Sequence, residues 1–169
     1  MFRQNARPRR RLVRLALLLG SLGLLLLVAN QLFLRFTRIG PPPGAGVGVA
    51  RPAVQMRGLR EYIGPSWAGR ERGIWEFHLT GEPFSLGYAH GRLGTRLVLE
   101  IEQYMFGEMH RYVPSTAALA MIRLGVLLRY RNLPQHISPA LRLEFAGMAE
   151  GQPDEHGDFL PIYHRIVFY

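Results

Sequence analysis

The chain has 169 residues, no cysteine and a formal net charge of +9, and every basic residue is an arginine. The absence of cysteine excludes a disulfide framework. The first 38 residues carry eight arginines and no acid, so the remaining residues are nearly neutral at +1. This distribution argues against nucleic acid as a partner, because no basic patch remains outside the N-terminal region. We interpret the exclusive use of arginine as genome composition bias.

A long apolar segment follows a basic N-terminal flank at residues 1–14. Residues 15–34 carry no charge, and twenty helical residues span the roughly 30 Å hydrocarbon core of a bilayer. The run is longer than the apolar part of a signal peptide and has no Ala-x-Ala site beside it. We therefore predict an uncleaved transmembrane signal anchor over residues 15–38, in contact with membrane lipid through residues 15–34. A cleaved signal peptide is the alternative.

The arginines of the flank also predict the topology of the chain. Positive charge is retained on the cytoplasmic side of a membrane span. We expect a single-pass protein with a cytoplasmic N-terminus and an exported remainder, either periplasmic or extracellular.

The next segment is rich in proline and glycine. Residues 40–54 read GPPPGAGVGVARPAV, a composition that predicts a semi-flexible stalk. We assign residues 39–72 as a whole to a stalk and linker, with a mixed, turn-rich part from residue 57. Residues 73–80 then predict a strand with alternating apolar residues. Glu76 and His78 share its other face, either as solvated side chains or as an acid/base pair.

Three helices are predicted after this strand. The first covers residues 82–110, with Pro83 in its first turn. The second covers residues 115–131 with Ser115 as N-cap. It is apolar on most sides and too short to cross a bilayer, so it is either a buried core helix or a helix lying on the membrane surface. The third covers residues 138–151, and residues 159–169 then predict a buried apolar strand.

The start of the first helix has an unusual glycine content. Residues 81–94 read GEPFSLGYAHGRLG, with Gly87, Gly91 and Gly94 spaced by four and three. A glycine inside a helix costs about 1 kcal/mol relative to alanine. The spacing therefore predicts a helix face that another element approaches closely. His90 lies in this stretch and is either satisfied by hydrogen bonds where two elements pack or catalytic.

This stretch resembles the N-terminal signature of the penicillin acyltransferase-like family of autoproteolytic N-terminal-nucleophile hydrolases, the acyl-coenzyme A:6-aminopenicillanic acid acyltransferases. A second segment, residues 141–151 (LRLEFAGMAEG), resembles the glutamate-containing helix that lies shortly before the nucleophile in that family. The matching positions, which we expect to be structural, are Gly81, Pro83, Gly87, His90, Gly91, Gly147, Glu150 and Gly151.

The resemblance implies an α+β fold that is mostly helical. Residues 73–169 would form an incomplete N-terminal portion of the αββα N-terminal-nucleophile (Ntn) hydrolase sandwich, behind the N-terminal transmembrane helix. The implied activity is acyl transfer or amide hydrolysis through a cysteine thioester. This chain has no cysteine, and no serine or threonine stands at the expected place. We therefore expect the nucleophile beyond Tyr169 and an inactive chain, either a gene fragment or a processed pro-chain, that needs a missing or separate catalytic chain.

The strand predicted at residues 159–169 would leave an uncovered edge, which also indicates truncation. The competing hypothesis is a non-enzymatic, single-span envelope protein whose helical exported domain binds another protein or lipid.

The six histidines give no metal motif, because none of them falls into the His-x-x-x-His spacing. We predict no metal, no cofactor and no catalytic residue within this chain. The polar residues Asp154, Glu155, His156 and Asp158 are interpreted as a solvated loop.

Overall fold

A computed structural model describes residues 7–157 and 159–169. The helices are α1 (Arg7–Thr37), α2 (Pro83–Tyr112), α3 (Thr116–Tyr130), α4 (Pro139–Gly151) and α5 (Ile162–Phe168), with a 3-10 turn at Leu133–His136. The strands are β1 (Gln55–Arg57), β2 (Arg60–Ile63), β3 (Ser66–Glu71) and β4 (Ile74–His78). The result is a mixed, helix-rich α+β chain with one small antiparallel sheet. It divides into two compact units, one ending at Arg38 and one beginning at Ile39.

The first unit contains α1, and the predicted apolar helix is confirmed. The part Leu12–Thr37 contains an 18-residue stretch with a mean hydropathy of 2.4 and is long and apolar enough to cross a membrane. Most of its leucine side chains are exposed, for example Leu17 at 68 %. A signal sequence near an N-terminus can also form a helix that is long and apolar enough, so α1 establishes a candidate span and the topology stays a prediction.

The sheet of the second unit is an antiparallel meander in the order β1-β2-β3-β4. Two-residue turns connect its last three strands. Gly64 (φ 56°) begins the turn between Ile63 and Ser66, and Arg72 and Gly73 (φ 50° and 87°) form the next turn. Positive φ at these positions matches the twist of paired strands, so tight hairpins form.

The predicted strand at residues 73–80 is confirmed as β4, in which Trp75 and Phe77 are half-buried and Ile74, Glu76 and His78 are exposed. The three strands before it lie in the segment assigned to a linker. Their residues are mostly polar, so they lack the apolar alternation that signals a strand. These strands form instead because tight hairpin turns bring each one against its neighbour, and β3 pairs with β4.

The segment assigned to the stalk also differs from the prediction. Ile39 is 4 % exposed and packs in a core cluster with Phe84, Ala146, Tyr163 and Val167. Ala45 and Val49 pack against the same cluster. A proline- and glycine-rich segment can thus lie on a folded surface, because its few apolar side chains find a core to cover.

The three central helices were predicted with nearly their observed bounds. Ser115 accepts a hydrogen bond from the Ala118 N–H at 3.3 Å, and Ser138 accepts one from the Leu141 N–H at 3.3 Å. These are the N-cap contacts that fix a helix start. In α3, only Leu119 and Leu127 are buried, which excludes a fully buried core helix.

The strand predicted at residues 159–169 was wrong, because this segment forms α5. Its β-branched and aromatic residues favour a strand locally. However, Pro161 stands at the N-cap, and Tyr163, Ile166 and Val167 recur at helical spacing as buried side chains. The argument for truncation that rested on an uncovered strand edge falls with this strand.

Candidate functional site

The two segments that carry the motif pack against each other as α2 and α4. Gly87 and Gly91 lie on the contact face of α2, and Gly147 and Gly151 lie on that of α4. All four are buried. Each pair is spaced by four, so both members of a pair lie on one face of their helix.

The approach of the two helices is so close that only glycine fits. A Cβ on Gly87 would stand 1.9 Å from the Glu144 carbonyl oxygen, and a Cβ on Gly147 would stand 2.1 Å from the Phe84 carbonyl oxygen. A Cβ on Gly91 would stand 2.5 Å from the Met148 carbonyl oxygen, and one on Gly151 2.6 Å from that of Tyr88. The contacts are reciprocal and involve backbone atoms, which cannot rotate away. The predicted close approach is confirmed for Gly87 and Gly91, and the opposing surface formed by Gly147 and Gly151 was not predicted.

The third glycine of the predicted face behaves differently. A Cβ on Gly94 would meet only His90 at 3.7 Å and Phe77 at 3.9 Å, which is ordinary van der Waals distance. Gly94 therefore faces the sheet side and does not belong to the α2–α4 contact.

The remaining motif residues begin α2 and complete α4. Gly81 adopts φ 129° before the helix, and Pro83 is the first helical residue. Glu150, in the last turn of α4, forms an ion pair with Arg51, whose Nη2 also donates to the Gly46 carbonyl at 3.1 Å. The hydrogen bond from Arg51 lowers the pKa of the Glu150 carboxyl. Glu150 thus attaches the segment before the sheet to α4.

His90 is a residue of α2, and its side chain faces the sheet. Its ring centroid is 6.0 Å from that of Phe77, and the side chain is partly buried. Burial lowers the pKa of the imidazole, against a smaller opposing effect of the Glu144 charge. The ring packs on an aromatic side chain, so its surroundings favour the neutral form and a structural role.

A second group of polar residues lies further along α2 and was not predicted. Arg165 of α5 donates from Nε to Glu102 Oε1 at 2.8 Å and from Nη1 to Asp154 Oδ1 at 2.7 Å. The Tyr169 hydroxyl donates to Glu102 Oε1 at 2.6 Å. The side chains of Arg165 and Glu102 are 2 % and 3 % exposed. We call Glu102, Asp154, Arg165 and Tyr169 the buried charge cluster after its two buried members, Glu102 and Arg165, since Asp154 is 40 % exposed and Tyr169 64 %.

The charges of this cluster compensate one another. Burial alone would lower the pKa of the Arg165 guanidinium, but its hydrogen bonds to Glu102 and Asp154 outweigh burial, and the pKa is raised. Burial and the hydrogen bond to Glu102 raise the pKa of Tyr169. Because each member is paired, the cluster holds α5 against α2 and presents no free acid or base.

Sequence reasoning missed this cluster because Glu102 and Arg165 are 63 positions apart. The signal available was a lone glutamate within an otherwise apolar helix stripe and a lone arginine within an apolar run. Asp154 lies in the loop interpreted as solvated and its side chain is 40 % exposed, but its carboxylate also pairs with the buried guanidinium of Arg165, which was not predicted. Asp158 lies outside the described residues.

The other candidate sites show no catalytic geometry. His78 stacks on Trp67 with ring centroids 5.9 Å apart, and Glu76 lies 3.9 Å from Arg60. Both side chains are on the exposed face of β4, as the solvated alternative predicted. Across residues 7–157 and 159–169, no three histidine or acidic side chains are grouped closely enough to hold a metal ion.

Comparisons with protein-family models, with curated protein sequences and with solved structures gave no match to this chain. The resemblance to the penicillin acyltransferase-like family therefore stays a prediction that depends on the two motif segments.

Proposed function

We propose that this chain is the membrane-anchored N-terminal region of an autoproteolytic acyltransferase or amide hydrolase of the penicillin acyltransferase-like type. On its own it would be inactive. The cysteine nucleophile and its partners would be supplied by further sequence or by a separate chain, as part of an αββα sandwich that residues 73–169 begin.

The observation that carries this proposal is the reciprocal contact of the two motif segments. The glycines that produce the resemblance are the four residues whose Cβ atoms would collide with the opposite backbone. If the glycines occurred in the two helices by chance, the four motif glycines would not be expected to face one another. In the proposed enzyme, this contact fixes the distance between α2 and α4 and so supports the downstream strand that begins with the nucleophile.

The membrane part of the proposal rests on α1. We propose that α1 is an uncleaved signal anchor and that the second unit is exported, since the arginines precede the apolar run. A reporter that is active only after export, fused behind Tyr169, should be active. Activity restricted to a cytoplasmic reporter would contradict this orientation.

The decisive experiment is to sequence the coding DNA beyond the Tyr169 codon in all frames and to express the continuous product. We expect a cysteine preceded by a small residue, and self-cleavage before it that mass spectrometry detects. Replacing this cysteine with alanine should abolish cleavage. Gly91→Ala should also impair cleavage, whereas Gly107→Ala, in the same helix but facing open space, should not.

The absence of any such coding sequence, together with no copurifying catalytic chain, would contradict the enzyme proposal. It would favour a single-span envelope protein with a binding domain. One observation favours this second function: the folded unit leaves a largely apolar face of α3 exposed, with Met121 at 67 % and Leu128 at 41 %.

A further inference from the structure

Helix α3 has one buried and one exposed side, and both are apolar. Leu119 and Leu127 face inward. Met121, Gly125 and Leu128 are separated by four and three positions, so they share the opposite face, and all three are exposed. Ile122, 44 % exposed, flanks them. An exposed apolar helix face is expected to be covered by something other than water.

The charge around this face has one sign. From residue 109 to residue 143 the sequence contains five arginines and no acid. Arg111, Arg129 and Arg131 are exposed. The Arg129 guanidinium lies 5.6 Å from the Tyr130 ring centroid, and the Arg111 guanidinium lies 5.2 Å from that of Tyr112. Glu108, 3.4 Å from Arg111, marks the edge of this region.

The combination is typical of a helix at a lipid surface. Interfacial helices place apolar side chains about 5–10 Å into the headgroup boundary and keep arginines at the level of the phosphates. Exposed tyrosines are favoured at the same depth, because the ring is apolar and the hydroxyl is polar. Tyr112 is 72 % exposed and lies beside Arg111. Tyr130 is turned towards the opposite side of α3, where its ring centroid lies 5.8 Å from that of Phe168.

The chain order supplies a reason for the face to meet a membrane. The candidate span ends at Thr37, and Ile39, the first residue of the second unit, is already buried in a core. The Ile39 N–H donates to His164 Nε2 at 3.0 Å, which fixes this residue to α5. If α1 lies in a bilayer, the folded unit is held within a few residues of the bilayer surface.

From these observations we propose that the exposed face of α3 lies on a bilayer that contains anionic phospholipid. Met121 and Leu128 enter the headgroup boundary, and Arg111, Arg129 and Arg131 contact lipid phosphates. A second copy of the chain is the less suitable occupant. Pairing this face with itself would bring the arginines of the two copies close together, and like charges across an interface are unfavourable.

The test uses the full chain in nanodiscs, and the lack of native cysteine allows single-site labelling. Met121→Cys and Ile74→Cys are labelled with an environment-sensitive NBD fluorophore. The two native side chains are matched in exposure, at 67 % and 69 %. Nanodiscs contain phosphatidylcholine alone or an equimolar mixture with phosphatidylglycerol, each with a nitroxide quencher in the upper acyl chain.

We expect blue-shifted emission and strong nitroxide quenching at position 121 in the anionic mixture, with little quenching at position 74. Replacing Arg129 and Arg131 with glutamine should lower the ratio of docked to undocked chains by about fivefold for each arginine. Added salt should act in the same direction. Far-ultraviolet circular dichroism of each variant checks that α3 remains folded.

Three results would overturn the proposal. The first is a probe at position 121 that is no better quenched than the probe at position 74 in the anionic nanodiscs. The second is equal quenching in both lipid mixtures with no effect of the arginine replacements. The third is self-quenching between labelled chains without quenching by lipid, which would assign the face to a second copy of the chain.

Discussion

Helix α2 makes two different contacts along its length. Near its start it meets α4 through glycine and backbone, with no space for a single methyl group at Gly87. Three turns later it meets α5 through Glu102, whose carboxylate holds a buried guanidinium and a tyrosine hydroxyl. The first contact depends on shape alone and the second on charge compensation. Their difference predicts how each one fails when a single residue changes.

The largest effect is expected at the buried charge cluster. Arg165→Met leaves the Glu102 carboxylate buried with only the Tyr169 hydroxyl as partner. Removing one member of a buried ion pair costs about 3–5 kcal/mol, because the other charge is left uncompensated. We expect the midpoint of urea unfolding of the full chain in detergent, followed by circular dichroism, to fall strongly.

The double variant Glu102→Gln with Arg165→Met separates pairing from packing. It removes both charges, so we expect it to recover part of the lost free energy of unfolding relative to Arg165→Met alone. No recovery would show that the arginine acts through its packing and would remove the contrast with the α2–α4 contact.

The next effect is expected at the glycine contact. Gly87→Ala places a methyl group 1.9 Å from the Glu144 carbonyl oxygen, so the two helices must separate. Overpacking of this kind costs about 1–3 kcal/mol, and more where the backbone cannot shift. Denaturant unfolding of the full chain in detergent measures the loss.

The matched control is Gly107→Ala in the same helix, where a Cβ meets nothing within 4 Å. Alanine has the higher helix propensity, so this variant should gain up to about 1 kcal/mol. Equal behaviour of the two variants would mean that α2 and α4 are not in backbone contact.

The two contacts also differ in how far the sequence predicts them. The α2 side of the glycine contact was predicted, because the spacing of its glycines is a local pattern, and Pro83 and Ser138 mark the starts of the two helices. That α4 is the approaching element was not predicted. The buried charge cluster was not predicted either. Its members are distant in sequence, and Arg165 lies in a run whose β-branched and aromatic composition favours a strand.

The sheet follows the same rule. Strand β4 shows apolar alternation and was predicted, whereas β1 to β3 consist mostly of polar residues and form through tight turns and pairing. The packing of Ile39 in the core depends on contacts with α4 and α5, which no local sequence pattern predicts. Local periodicity thus predicts helices and strands. It does not predict contacts between polar or isolated apolar residues that are distant in sequence.

A smaller effect is expected where Arg51 pairs with Glu150, because both side chains are 40 % exposed. The folded-state pKa of Glu150 is lowered by Arg51. The contribution is therefore present above the ordinary glutamate pKa, about 4.3, and is lost as the pH falls below it. Arg51→Gln should unfold at slightly lower denaturant than the natural chain at pH 7. The difference should vanish in acid, and a difference that persists there would exclude ion pairing as its cause.

The smallest effect concerns His90, beside the glycine contact. Burial lowers the folded-state pKa of its imidazole, while the unfolded chain titrates near 6.5. Between these values the unfolded state binds more protons, so stability is full above about pH 6.5 and declines as the pH falls through the unfolded pKa. His90→Gln should flatten this decline in thermal melts recorded from neutral to mildly acidic pH. The matched variant His136→Gln, at an exposed ring, should keep it. If both variants keep the decline, the imidazole of His90 is not a buried neutral group.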